Sequence, residues 1–599
     1  MRKVLLLFLV LLCVGPNLFA QTYNEYEISF ENAVHHEAII KARFSNLEDN
    51  VLEIRMSRSS PGRYALHEFA KNVYSVKAYD SKGKELNITR PNPHQWDVSG
   101  HDGIVIFQYT LFANRGGGTY SQVDETHAHL NIPATFAYAR GLGERPVKVT
   151  FDLREDLNWK VATQLKHLEG NTYMAPDTYY FMDSPTEIAD LHIREEKIEG
   201  KTIRMALHTP ASEAEVDDYF GKVIKIVKAE SDVYGGLADY DFGEYTFLLC
   251  FMPNASGDGM EHRNSTYVVS SKPLQKPLGE TSISTVSHEF FHSWNVERMR
   301  PQSLEPFDFE EANMSGELWF AEGFTQYYTA LNLVRAGILA PDNYIQSLAY
   351  GLNAVINSPG RNYFNPIEMS YQAPFVDAAR SVDPTNRSNT FISYYTYGQV
   401  LGLALDLSLR SLDKGLNLDD FMKNAWNTYG KTEIPYDVRD LQVVLEEYAG
   451  KNFADEFFGN YIFDSKLPDF APLLKNVGVV LEKENVGKAS LGENIRVSDG
   501  IGRLRNNATV GSPVYEAGIE LEDELVSVAG IPLSDEGNVE TILQGSNPGD
   551  QIEIVFNRWG VEKTVTVTLI EDRNFKTTIN EKADKKALNR QKDWLKTSE

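Results

Sequence analysis

The chain has 599 residues, too many for a single hydrophobic core, so two to four domains are expected. Hydrophobic residues make up 42% and charged residues 24% of the sequence, which is ordinary for a folded soluble protein. The formal net charge of −26 argues against a nucleic-acid partner, which requires a basic face, and against binding to anionic membranes.

The N-terminus predicts export. A short basic start is followed by an apolar run over residues 4–14 and a small residue at Ala20, as in a secretory signal that is cleaved after Ala20. This run is too short to span a bilayer, and no other segment predicts a transmembrane span. Lipid attachment at Cys13 stays open, although Leu12 is a poor residue before a lipidated cysteine. A periplasmic or secreted protein is therefore expected.

Three regions follow the signal. Residues 21–198 alternate short apolar runs with turn-rich pieces and predict an all-β domain. Residues 199–470 are mixed and then mostly helical, whereas residues 471–573 return to short strands and turns. Residues 574–599 are lysine-rich and predict a tail, or a terminal helix that docks through Trp594. Cys250 lies in an apolar run and is interpreted as a buried strand residue that is not a nucleophile.

The pattern His-Glu-x-x-His occurs at His288, Glu289 and His292. Residues four apart lie nearly above one another on a helix, so both imidazoles can face one metal ion. Glu289 lies a quarter-turn away, where it can act as a general base without binding the metal. This arrangement is typical of zinc hydrolases.

A catalytic zinc ion needs a third protein ligand. Glu322 lies on a predicted helix among large apolar residues, where a metal would remove the cost of burying its carboxylate. Glu311 is the alternative, in an acidic run that is more typical of a solvated loop.

Residues 295–301 (Asn-Val-Glu-Arg-Met-Arg-Pro) and 319–323 (Trp-Phe-Ala-Glu-Gly) resemble the glycyl aminopeptidase family of zinc peptidases. This family belongs to the gluzincins and is related to the aminopeptidase N family. The resemblance extends over most of the chain, since residues 60–64 (Ser-Pro-Gly-Arg-Tyr) are similar to a motif of the family's N-terminal β domain. It implies a multidomain fold with an all-β N-terminal domain, a thermolysin-like α+β, mostly helical catalytic domain and a C-terminal PDZ domain.

The resemblance also implies roles for individual residues. Glu311 has the spacing from His292 found in the aminopeptidase N family, but Glu322 has the family's local sequence and is the predicted third ligand. Residues 257–265 resemble the amine-recognition strand, in which Gly259, Met260 and Glu261 would bind the substrate and Glu261 would pair with its free α-amino group. Asp258 departs from this pattern, because aminopeptidase N relatives have glycine there.

Tyr395 matches the tyrosine that donates a hydrogen bond to the oxyanion in this family. The surrounding pattern is Tyr-x-Lys-Gly, and Tyr397 here replaces the lysine. That departure leaves Tyr394 open as an alternative donor.

The C-terminal region contains Gly-Ser-Pro at residues 511–513 and an apolar strand that ends at Gly530, which look like a PDZ core. Residues 499–502 are the predicted carboxylate-binding loop, since their N–H groups could bind a C-terminal peptide. A structural appendage without a ligand is the alternative.

Two further histidine pairs, His127 with His129 and His35 with His36, favour no metal site. Neither pair has a carboxylate or cysteine partner at a useful spacing.

The sequence as a whole predicts a zinc-dependent aminopeptidase with one Zn²⁺ per chain. Its partners would be peptides with a free N-terminus, and the family resemblance implies a preference for N-terminal glycine or alanine. The alternatives are a non-catalytic exported protein that binds through its PDZ domain, and a zinc endopeptidase with an open cleft.

Overall fold

A computed structural model describes residues 21–274, 279–376, 383–534 and 539–596. The predicted signal over residues 1–20, with Cys13, lies outside the described residues. Within these ranges, no helix combines the length and the apolar character needed to span a bilayer.

The N-terminal domain consists of three β-sheets around one apolar core. Glu37–Phe44 illustrates the pattern, because alternate residues such as Ile40 and Ala42 are fully buried while Lys41 is exposed. The seven-stranded sheet has the order Lys166–Glu169, Thr172–Ala175, Val147–Asp152, Asn24–Ser29, Glu37–Phe44, Val105–Phe112 and Val73–Tyr79. The four-stranded sheet has the order Tyr138–Ala139, Val51–Arg55, Gln95–Ser99 and Asn87–Asn92. The five-stranded sheet has the order Lys160–Thr163, Thr186–Ala189, His127–Leu130, Tyr120–Val123 and Asn114–Gly117. The predicted all-β domain is confirmed.

The catalytic domain begins with a five-stranded sheet, called here the catalytic sheet. Its order is His192–Ile198, Lys201–His208, Glu244–Phe251, Ser265–Ser270 and Asp258–His262. The three central strands are parallel, and both edge strands are antiparallel to their neighbours. The strand His192–Ile198 pairs along its whole length with the next strand, so this sheet begins before residue 199, where the sequence placed the domain boundary.

Helices cover one side of the catalytic sheet and form most of the domain. The first, Glu213–Tyr234, begins with a capping box between Ser212 and Glu215 and ends at Gly235, whose φ of 78° suits glycine. The longer helices that follow are Gly279–Phe291, Gly323–Arg335, Pro341–Ile356, Tyr394–Ser411, Leu418–Ala425 and Val438–Ala449. The predicted helical domain is confirmed.

Two of these helices cross at very short range. A Cβ atom at Gly323 would lie 2.3 Å from the Cα atom of Gly398, and one at Gly398 would lie 1.8 Å from the carbonyl oxygen of Trp319. No side chain fits at either position, so both glycines are required for this contact. The crossing brings the N-terminal ends of Gly323–Arg335 and Tyr394–Ser411 together beside the predicted site residues Glu322 and Tyr395.

The C-terminal β region has its own small core and a sheet of Ile495–Ser498, Ile501–Leu504, Glu524–Val528, Gln551–Arg558 and Val561–Thr568, with Ile531–Pro532 on Glu524–Val528. Asp499 and Gly500, with φ values of 55° and 72°, form a two-residue hairpin turn between the first two strands. Gly502 pairs with Val497 on one side and with Leu525 on the other. Residues 499–500 thus form a tight turn and residues 501–502 lie in a paired strand, so the prediction of a carboxylate-binding loop at 499–502 is wrong. The PDZ assignment stays a prediction.

The chain enters and leaves the C-terminal β region at one place. Val479–Lys483 pairs antiparallel with Phe575–Ile579, and both strands contribute to the core of the catalytic domain. The final helix, Lys585–Leu595, then packs on that domain through Trp594, whose fully buried indole donates a hydrogen bond to the hydroxyl of Tyr327 (2.8 Å). Of the two predicted states of this segment, the docked helix is the one observed.

Candidate active site

The helix Gly279–Phe291 carries His288 and Glu289 in its last turn. His292 was predicted on the same helix, but it lies one residue beyond the end of the helix. The backbone widens there, since the N–H of Glu297 donates to the carbonyl oxygen of His292 (2.9 Å). The two imidazoles still meet, with ring centroids 4.8 Å apart.

Glu322 meets these histidines from the junction between the helices Leu318–Ala321 and Gly323–Arg335. Its Oε2 atom lies 3.5 Å from Nε2 of His288 and 3.3 Å from Nε2 of His292. All three side chains are buried. We call this group the active-site cluster.

Hydrogen bonds on the outer side fix the orientation of each member of the active-site cluster. Nδ1 of His288 lies 3.1 Å from Oγ1 of Thr329, and Nδ1 of His292 donates to the carbonyl oxygen of Asn295 (2.6 Å). Oε1 of Glu322 accepts a hydrogen bond from the hydroxyl of Tyr64 (2.7 Å). Such partners hold metal ligands in place and raise their basicity.

The active-site cluster fits a zinc ion. Two imidazoles and a glutamate form one of the common ligand sets of catalytic zinc, and three protein ligands leave one position open. Oε2 of Glu322 is buried and has no hydrogen-bond partner among the described residues. A buried carboxylate oxygen without a donor is costly, and a metal ion beside the two Nε2 atoms would satisfy it.

Glu289 lies beside the active-site cluster and lines the same cleft. Burial raises the pKa of its carboxyl well above the usual range, while the positive charge of His292 opposes this shift. Backbone approaches the carboxylate closely, since a Cβ atom at Gly259 would lie 2.2 Å from Oε1 of Glu289. A buried carboxyl with a raised pKa is suited to exchange protons near neutral pH.

The edge strand Asp258–His262 forms the opposite wall of the cleft. Side chains alternate along a strand, so Gly259 and Glu261 share the face that lines the cleft. Met260 points the other way and is fully buried; a Cβ atom at Gly62 would lie 2.4 Å from its sulfur. The predicted substrate contact of Met260 is therefore not made by its side chain.

Asp258 is held by the N-terminal domain. Its Oδ1 atom accepts a hydrogen bond from Nη2 of Arg63 (2.6 Å), and its Oδ2 atom accepts one from the N–H of Gly118 (2.9 Å). Arg63 also donates to the carbonyl oxygen of Gly259 (3.0 Å). The aspartate that departs from the family pattern thus fixes the edge strand against the N-terminal domain.

Tyr395 lines the cleft, with its ring centroid 5.8 Å from that of His288. Tyr394 is instead buried and makes an edge contact with the ring of Tyr64. Tyr397, which replaces the family's lysine, is buried on the far side of the helix. Of the two candidate donors, the structure therefore places Tyr395 at the site.

The alternative metal ligand, Glu311, is exposed. It lies in the loop that follows Phe309, where it lines a shallow surface depression with Tyr138. The structure places Glu322 with the two histidines and leaves Glu311 outside the cleft.

The cleft has a volume of about 350 Å³ and includes residues that sequence analysis did not assign to it. Arg63 lines it, and Tyr64 reaches Glu322 from the N-terminal domain. Residues 60–64 were noted as a family motif, which was the available signal. Their contact with the active-site cluster, across some 260 residues of sequence, was not predictable from local spacing.

Comparisons with known proteins give matches to two family profiles and to solved structures. Residues 25–190 match the family profile described as the Peptidase M61 N-terminal domain, and residues 281–401 match the profile described as M61 glycyl aminopeptidase. A search of curated proteins gave no match. Among solved structures, an aminopeptidase N family protein from Idiomarina loihiensis superposes with a TM-score of 0.84 at 23% identity, covering 95% of this chain and 99% of that chain. An M1 zinc metallopeptidase from Deinococcus radiodurans has a TM-score of 0.43 at 11% identity, over 75% of this chain and 95% of that chain.

The family matches and the fold define the class of the protein: it is a zinc metallopeptidase, and therefore a hydrolase. More particularly, the chain carries both M61 domains, and its resemblance to the glycyl aminopeptidase family is confirmed. The family match supports a zinc aminopeptidase.

Proposed function

We propose that this peptidase removes the first residue, glycine or alanine, from peptides with a free N-terminus. The observation that carries the proposal is the Glu261 carboxylate. It is buried at the wall of the cleft, and one of its oxygens lies within 4.8 Å of ligand atoms of Glu289 and His292. Within the described part of the chain, no cation pairs with it.

A substrate amine supplies the missing partner. A free α-amino group has a pKa of about 7.7–8.0 and is mostly cationic at pH 7. The nearest acid on the same strand, Asp258, is already paired with Arg63. Glu261 is thus the carboxylate left to bind the amine, which places the first peptide bond of the substrate over Glu289.

The other residues then have distinct tasks. His288, His292 and Glu322 would hold zinc, which when bound polarises a carbonyl and lowers the pKa of a water molecule. The Glu289 carboxylate takes a proton from the attacking water and delivers it to the leaving amine. The hydroxyl of Tyr395 donates a hydrogen bond to the developing oxyanion.

The preference for glycine or alanine has separate support. Glycine is supported by the description of the matched family as glycyl aminopeptidase, and alanine by the family resemblance of the sequence. The amine-binding step rests on Glu261 alone and holds for any first residue.

A panel of peptides with different first residues, each in a free and an N-acetylated form, tests the proposal. Free peptides that begin with glycine or alanine should lose one residue, as measured by mass spectrometry. Their acetylated forms should react about 10⁴-fold more slowly, because they leave Glu261 buried and unpaired. In Glu261→Gln, KM should rise and the ratio between free and blocked peptides should fall towards one.

Glu311→Gln is the matched control for Glu261→Gln, since it makes the same substitution at an exposed acid outside the cleft. It should leave both the rate and the free-to-blocked ratio unchanged. Internal cleavage of blocked peptides at comparable rates would instead identify an endopeptidase with an open cleft. Equal cleavage of all first residues would remove only the preference for glycine or alanine.

A further inference from the structure

A second group of metal-binding side chains lies between the N-terminal domain and the catalytic sheet. It consists of His127, Glu187, His208 and Cys250, and we call it the interdomain cluster. Sequence analysis found no carboxylate or cysteine partner for His127 at a useful sequence spacing. The fold brings both types of partner to His127 from distant strands.

The four members of the interdomain cluster come from both domains. His127 and Glu187 lie on the paired strands His127–Leu130 and Thr186–Ala189 of the N-terminal domain. His208 and Cys250 are direct neighbours on two strands of the catalytic sheet. All four side chains are buried, and Glu187 and Cys250 have no accessible surface.

The four ligand atoms of the interdomain cluster all lie within 4.8 Å of one another. Nδ1 of His127 lies 2.8 Å from Oε1 of Glu187, and Nδ1 of His208 lies 3.9 Å from the same oxygen. Sγ of Cys250 lies 3.6 Å and 3.4 Å from these two nitrogens. Zinc bonds of about 2.0–2.3 Å at tetrahedral angles put neighbouring ligand atoms about 3.3–3.6 Å apart. One sulfur, two nitrogens and one oxygen therefore surround a point that a metal ion can occupy after small shifts of the four ligand side chains.

Neighbouring side chains hold the interdomain cluster in this orientation. The second oxygen of Glu187 lies 3.2 Å from Nδ1 of His129, whose ring stacks on Tyr267 with centroids 3.5 Å apart. Nε2 of His127 faces Oδ2 of Asp124 at 3.8 Å. A carboxylate behind a ligating histidine is a common support in metal sites.

Charge balance favours a divalent ion. With Cys250 as thiolate, Glu187 as carboxylate and two neutral imidazoles, the ligands carry two negative charges, which a divalent ion neutralises. Binding releases the thiol proton of Cys250 to solvent and changes no oxidation state. A buried group of this kind is stable only when its charges are compensated.

We propose that His127, Glu187, His208 and Cys250 bind a second Zn²⁺ ion, which joins the N-terminal domain to the catalytic sheet. Four protein ligands leave no open position, as in structural zinc sites. The position relates the ion to the active site, because His208, Cys250, Val269 and Asp258 form one row across the catalytic sheet. This row ends at the strand that carries Glu261, so the ion would hold the amine-binding wall in place.

Metal analysis and cobalt spectroscopy of the full chain test the proposal. Zinc-supplemented protein should contain two zinc ions per chain, and Cys250→Ser should contain one. Replacement by Co²⁺ should give a sulfur-to-cobalt charge-transfer absorption in the near ultraviolet. Cys250 is the only cysteine beyond residue 20, so this band reports the interdomain cluster alone.

Two variants separate the sites from each other and from folding defects. The double variant His288→Ala, His292→Ala removes two of the three catalytic ligands and should keep one metal ion and the full charge-transfer band. His167→Asn alters an exposed histidine of the N-terminal domain and should keep both ions.

The proposal is overturned if wild-type protein with native circular dichroism binds one zinc ion and shows no charge-transfer band with cobalt. It is also overturned if the double variant is folded and free of metal. Both results come from proteins in which the interdomain cluster is unaltered, so a folding failure of Cys250→Ser leaves the test intact.

Discussion

The active-site cluster and the interdomain cluster use the same types of ligand in opposite settings. Each contains two imidazoles and a glutamate, and each is buried. The active-site cluster has three members at the wall of an open cleft, whereas the interdomain cluster adds Cys250 and is closed. The comparison indicates that the number of protein ligands separates the two kinds of site. Four ligands close the interdomain cluster, as in a structural site, whereas three leave the active-site cluster one open position that can admit a substrate.

Removal of Glu322 should have the largest effect. Glu322→Ala loses a catalytic ligand, so activity should fall towards the uncatalysed rate, a loss of about 10⁶-fold or more. Metal analysis should show the loss of one zinc ion while the cobalt–thiolate band of the interdomain cluster remains. Glu311→Ala, the control at an exposed acid, should keep full activity, and loss of zinc in that variant would contradict the choice between the two acids.

Glu289→Gln separates metal binding from catalysis. Both clusters should keep their metal, because Glu289 belongs to neither ligand set. The rate constant kcat should fall by about 10²–10⁴-fold, since the proton acceptor is lost while the shape is preserved. Isothermal calorimetry with a substrate peptide should show nearly unchanged binding. A variant that kept more than a tenth of the wild-type kcat would exclude Glu289 as the base.

Tyr395→Phe removes one hydroxyl from the cleft. We expect kcat to fall by about 10²–10³-fold with little change in KM, because the hydrogen bond forms to the oxyanion and not to the ground-state carbonyl. Steady-state kinetics should show no comparable loss in Tyr394→Phe, whose side chain is buried outside the cleft. A larger loss in Tyr394→Phe would reverse the assignment.

The smallest effects should come from the residues behind the ligands. Tyr64→Phe removes the hydrogen bond to Glu322, and His129→Asn alters the support of Glu187. Loss of such a partner typically weakens metal binding by about 10–100-fold. Titration with a chelator should show weaker binding at the active-site cluster in the first variant and at the interdomain cluster in the second. If either variant weakened both sites equally, the two clusters would not be independent.

The sequence predicted the active-site cluster because its geometry is local. His288 and His292 are one helical turn apart, and Glu322 lies in a short motif, so short-range spacing and local sequence carry most of the information. The order of an all-β domain, a helical domain and a further β region was equally predictable, since the hydrophobic period changes at each boundary.

What the sequence did not predict depends on contacts between distant strands. The members of the interdomain cluster lie up to 123 residues apart in the sequence. Only the packing of two separate sheets brings His127 to Cys250. Local sequence patterns also failed to predict where a helix ends, which way a side chain points and where a turn gives way to a strand. His292 falls just outside its helix, Met260 faces away from the cleft, and residues 499–502 form a hairpin turn and the start of a paired strand in place of a binding loop.

The pairing of Val479–Lys483 with Phe575–Ile579 has a consequence for the order of synthesis. The C-terminal β region is an insertion in the catalytic domain, and the helix with Trp594 is made after it. Trp594 contacts Tyr327, on the helix that begins directly after Glu322. Roughly 110 residues separate Lys483 from the end of the terminal helix Lys585–Leu595. At the usual elongation rates of about 5–20 residues per second, the ribosome needs about 5–20 s to make them. The helix Gly323–Arg335 therefore gains its contact with Trp594 only after the C-terminal β region has been made, which delays the mature peptidase domain by that interval.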